Sequence, residues 1–145
     1  MAIDRHGTAL TIIRICIGVF FIAEGVGKWR WLGNSSILAN QLAAWHQGVA
    51  AGSLSAAYLE RIAIPYAGIL ARLVPLGEIS AGLGLVAGVW TPLCALIAFF
   101  MALNFQFASG ALFKSSFLSS GYGLPVLGST LGLAIGGVRL PWSIR

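Results

Sequence analysis

The stretch "ARLVPLGEISAGLGLVAGVWTP" (residues 71–92) decides the fold. A run this apolar and this long is what a helix needs to cross the hydrocarbon layer, which is ~30 Å thick and takes about 20 residues. Yet Arg72, Pro75 and Glu78 fall within two turns of one another. A charge at mid-membrane costs about 3 kcal/mol on insertion scales, so such a residue faces a partner or a cavity. Six residues turn a helix by about 600°, which puts Arg72 and Glu78 on different faces of a straight rod. Pro75 removes one backbone hydrogen bond, and a bend there is the reading that brings the two charges together. Gly77, Ala81, Gly84 and Gly88 form one small-residue stripe, a close helix-packing face about 90° from Glu78. Glu78 is therefore expected to point along the interior of a bundle.

The rest of the chain agrees. Of its 145 residues 58% are hydrophobic and only 9% charged, with a mean hydropathy of +0.88. Soluble domains carry about 25% charged residues, so that class is excluded. Four apolar blocks, at roughly 8–29, 65–89, 92–113 and 122–138, predict an all-α integral membrane protein. The expected architecture is an antiparallel four-transmembrane-helix bundle formed as one domain over 1–145. "VWTP" between blocks two and three is short enough for a tight hairpin, with Pro92 suited to a first helical turn. Between spans one and two, "SSILANQLAAWHQG" has Ile37, Leu38, Leu42 and Trp45 on one face, which predicts a short amphipathic helix. A second short helix is expected at 54–62. The net charge of +5 is scattered at span ends, with no basic run, so no nucleic-acid partner is expected. The lipid bilayer is the expected partner. No A-x-A-like site follows the first apolar block, so it is read as a retained span. Basic residues do not orient the chain: Arg5, Arg14, Arg139 and Arg145 stand against Lys28, Arg30, Arg61 and Lys114.

Glu24 and Lys28 lie four apart on one face in the favourable order. With span two antiparallel to span one, Glu24, Lys28 and Arg72 all approach the end that carries the long 33–64 segment. Asn104, in span three, sits at the depth of Glu78. The expected site is thus a polar pocket of Glu24, Lys28, Arg72, Glu78 and Asn104, with His46 and Lys114 at its mouth. Glu78 is the expected catalytic proton carrier, and Arg72, Lys28, Glu24 and Asn104 the binding groups. Against this stands a plain structural reading, in which ion pairs fix helix register and Asn104 and Gln106 are interhelical hydrogen-bonding groups. Cys16 and Cys94 form no C-x-x-C and read as small packing residues. No metal-ligand cluster is present, neither histidine falls inside a span, and neither metal nor haem is expected.

The stretch "YLERIAIPYAGILARLVPLGEISAGLGLVAGVWTPLCALIAFFMALNFQFASG" resembles the DoxX/DoxD family of small four-span membrane proteins. The likeness rests on the G-E-x-x-x-G-L-x-L-x-x-G core of span two, the short turn and the "LNF…ASG" end of span three. "RICIGVFFIAEGVGKW" is similar to the family's first span. Where the family often has a basic residue after span two, Trp90-Thr91-Pro92 stands here. The resemblance implies a bacterial or archaeal cytoplasmic-membrane protein. Its function would be that of a quinone-linked redox subunit like the DoxD part of a thiosulfate:quinone oxidoreductase, with quinone as the cofactor. A second reading is a non-catalytic accessory subunit of a larger respiratory or photosynthetic complex. Other membrane subunits, or further copies of the chain, are the protein partners either reading needs.

Overall fold

A computed structural model describes residues 4–144. Helix α1 runs Arg5–Gly27, opened by Asp4, whose carboxylate accepts from the Gly7 N–H at 3.0 Å. A 3-10 turn at Trp29–Leu32 leads to α2 (Ser36–Gly48), and α3 (Leu54–Tyr58) runs directly into a π-helical turn at Leu59–Ala63. Then come α4 (Ala67–Ala87), α5 (Thr91–Ala108) and α6 (Leu124–Gly136). No strand occurs among the described residues.

Helices α1, α4 and α5 are each long and apolar enough to cross a membrane. The fourth expected span is shorter than its apolar block. With 13 residues, α6 rises only about 20 Å, because Gly123 and Gly137 bound it while the ends of the block fold as loop. The expected helix at 54–62 is found in two parts, α3 and the π turn. The amphipathic segment is found as α2, with Leu38 and Leu42 buried. Asn34 rather than a serine receives its first N–H, from Ser36 at 3.1 Å.

The long helices and α6 close a ring in the order α1, α4, α5, α6 and back to α1. Its outer surface is apolar: Ile12, Val19, Ile69, Leu83, Phe100 and Ile135 are all exposed. Its interior holds polar groups, including Thr11, Arg14, Glu78 and Thr130. This arrangement is the reverse of a soluble domain and suits a lipid environment. The closest approach is between α1 and α4. A Cβ on Gly18 would lie 2.8 Å from the Gly82 carbonyl oxygen, and one on Gly25 would lie 2.9 Å from that of Pro75. The stripe read from the sequence divides between neighbours: Gly77 faces Met101 and Gly84 faces Cys94, both on α5, while Gly88 lies against Arg14 of α1. At one end α2 packs on α4 and the π turn. At the other, the tail folds back, and the Ile144 N–H donates to the Ala87 carbonyl at 3.0 Å. Arg145, one of the charges weighed for orientation, lies outside the described residues. Cys16 and Cys94 are unbridged.

A candidate site at a shared lysine

Lys28 caps α1, and its ammonium reaches inward. Nζ lies 2.9 Å from Glu24 Oε2 and 2.9 Å from each carboxylate oxygen of Glu78. It also donates to the Glu24 backbone carbonyl at 3.3 Å, and the Phe105 ring lies 5.3 Å from it. The i,i+4 spacing delivers Glu24 to the lysine from its own helix. Glu78 comes from α4, and the Gly25–Pro75 contact lets the two backbones approach closely enough for the pair to form. Glu78 is only 2% exposed, so the pair satisfies a carboxylate that would otherwise be stranded.

The three groups line a cavity of about 240 Å³. Its walls carry five aromatic side chains, Phe20, Phe21, Trp45, Phe105 and Tyr122. Gln41 and Trp45 of α2 also line it, as does Ser109, which caps the end of α5. Two carboxylates share one ammonium, so the fully ionised cluster has a formal charge of −1. Such a site does not attract an anion. It offers a cationic donor, carboxylates able to carry protons, and planar apolar walls.

Three of the expected site residues, Glu24, Lys28 and Glu78, are brought together. Arg72 and Asn104 are not. Arg72 is exposed on the outer face of α4, as the 600° rotation from Glu78 requires, because Pro75 is accommodated inside a helix that continues through it. A long side chain there carries its guanidinium along the apolar surface toward the interface. Asn104 is exposed and turned toward α3, where its amide oxygen accepts from the Tyr58 hydroxyl at 2.6 Å. His46 does not line the cavity and pairs instead with Glu60 at 2.7 Å, and Lys114 is exposed in the loop after α5.

Gln106 stands in the place expected for Asn104. It lines the cavity and donates to the Tyr122 carbonyl at 2.9 Å, tying α5 to the start of α6. The signal for it lay in helical spacing. Ala102, Phe105 and Gln106 form one i, i+3, i+4 face of α5, continued at i+7 by its cap Ser109, and all four line the cavity. Asn104 and Gln106, two apart, cannot share a face. Gln41 and Trp45 carry no such signal, since their place depends on how α2 lies over the ring.

Residues 9–111 match the family model described as DoxX, a segment that takes in α1 from residue 9 onward, the whole of α4 and α5, and the Glu24–Lys28–Glu78 cluster. No curated protein and no solved structure is detectably similar to the chain.

Proposed function

The chain belongs to the DoxX family of membrane proteins, and from that premise we propose that it is the membrane subunit of a quinone-linked redox complex, its quinone site being the cavity around Lys28. The observation that carries this reading is the buried cluster itself, a lysine held between two carboxylates against aromatic walls. Lys28 donates a hydrogen bond to a quinone oxygen. Phe105 and Tyr122 flank the ring. Reduction of a quinone to a quinol takes up two electrons and two protons, and Glu78 and Glu24 are the groups placed to pass those protons. At about 240 Å³ the cavity is smaller than the roughly 300–1,000 Å³ of drug-sized pockets, which suits a single-ring head group with its tail outside.

The electrons come from a partner subunit that oxidises a donor. If that donor is a sulfur oxyanion of the thiosulfate kind, its site belongs on the partner, because the −1 cluster repels anions and Arg72 faces away. We place the subunit in a prokaryotic cytoplasmic membrane, with α6 and its flanking residues completing a fourth crossing. In membranes carrying the native partners, Glu78→Gln is expected to lower quinone reduction by about 10²-fold or more while the protein stays folded. Unchanged turnover would refute the assignment.

One observation favours the accessory reading. Lys28 occupies both oxygens of Glu78, so the cluster can serve as a lock between α1 and α4 with no chemistry. Mild-detergent purification separates the two. A stoichiometric large complex without bound quinone supports the lock, and retained quinone supports the redox site.

A further inference from the structure

A second polar site lies at the opposite end of the ring, built on Arg14. Its side chain is fully buried, and its guanidinium donates to Ser143 Oγ at 2.6 Å and to the Trp142 carbonyl at 3.0 Å. Nε has no partner. Both partners are neutral, and among the described residues no carboxylate pairs with it. The chain holds four acidic residues. Asp4 and Glu24 lie ten positions away along α1 on either side, about 15 Å each. Glu60 pairs with His46 and Glu78 with Lys28, both at the far end. A buried cation with no counter-charge is strongly destabilising unless something else supplies the negative charge.

The surroundings supply a place for it. A cavity of about 460 Å³ is lined by Gly88, Trp90, Thr91, Pro92, Arg139 and Ser143, among others. The Arg14 guanidinium stands directly behind its wall: it bonds Ser143, and it occupies the space a Cβ on Gly88 would need. Gly88 has φ +73, so the position calls for glycine on backbone grounds as well. Arg139 adds a second cation at the rim, and the first residues of α5 present the positive end of an 18-residue helix. Among the described residues no acidic side chain lines this cavity. Trp90 and Trp142 are each more than 70% exposed there, as tryptophans at a lipid–water interface are.

We infer that this cavity binds a phosphate-type anion at headgroup depth, held by Arg139 and by the N-terminus of α5, with the buried Arg14 guanidinium adding its charge from behind the wall. A phosphodiester of an anionic lipid or a free phosphate has this chemistry. Occupancy sets a negative charge across the wall from Arg14 and fastens the tail to the α4–α5 turn.

The test is native mass spectrometry of the purified full chain in detergent, with phosphatidylglycerol and phosphatidylcholine of matched acyl chains added in turn. Phosphatidylglycerol is expected to be retained in preference to phosphatidylcholine. Arg139→Asn, which keeps the left-handed backbone tolerable at φ 59, is expected to weaken that retention about fivefold. Ser143→Ala, which removes one of the two groups that fix the Arg14 guanidinium against the wall, should weaken it in the same direction. Inorganic phosphate that displaces the lipid identifies the free ion as a ligand, and failure to displace it identifies the lipid. Equal retention of both lipids, or retention unaltered in both variants, overturns the site. Because Arg139 is exposed, its variant should keep the wild-type elution profile, so a loss of binding there is not a loss of fold.

Discussion

Lys28 satisfies two carboxylates at once, so its removal strands Glu78 in a buried position with no other cation near. Lys28→Met is expected to destabilise the protein by about 3 kcal/mol, the usual scale for breaking one side of a buried ion pair. Adding Glu78→Gln to that variant should recover part of the loss, because the orphaned charge disappears with its partner. Arg72→Gln should stay within about 0.5 kcal/mol of the parent, as an exposed residue without an ion pair does. Thermal unfolding in detergent measures all three. A large loss for Arg72→Gln would mean that it, and not Lys28, neutralises Glu78. The contrast also shows what was readable at this scale. Glu24 and Lys28 were legible because their spacing fixes a shared face. Arg72 was misplaced because its reading needed a proline bend strong enough to undo the helical rotation, whereas α4 continues through Pro75 with Arg72 on its exposed face.

Among the helices, α1 and α4 make the tightest contact, and their glycines are not equivalent. A methyl on Gly82 would meet backbone, with the Gly18 carbonyl oxygen at 2.7 Å and the Ile22 nitrogen at 2.8 Å. Backbone cannot rotate away, so Gly82→Ala is expected to cost about 1–3 kcal/mol. Gly68, in the first turn of the same helix, has nothing within 4 Å of a built Cβ. Gly68→Ala should therefore gain about 0.5–1 kcal/mol from helix propensity alone. The same unfolding experiment compares them, and equal effects would contradict the packing described here. The small-residue stripe on α4 was visible in the sequence, but not which neighbour it served. That depends on the order of helices around the ring, which periodicity within one helix does not encode.

The ring as a whole brings both ends of the described chain to one side. The Thr11 hydroxyl lies 3.2 Å from the Pro141 carbonyl oxygen, while α2 covers the opposite end. If α6 completes a crossing, cysteines placed at His6 and Ile144 should react with an impermeant thiol reagent from the same membrane face, and one at Gln47 from the other. Labelling of His6 and Ile144 positions from opposite faces would show that α6 does not cross. The apolar blocks made the membrane class and three long helices legible. The short α6 was not, since 122–138 is predominantly apolar and the glycines at its edges decide where helix gives way to loop. The central claim is that the cavity around Lys28 holds a quinone head group, and photolabelling with a short-chain azidoquinone tests it most directly. The label is expected on cavity residues such as Trp45, Phe105 or Tyr122, to be strongly reduced in Lys28→Met, and to be undiminished in Arg72→Gln. Label found only on the outer helix faces, or unchanged in Lys28→Met, would contradict it.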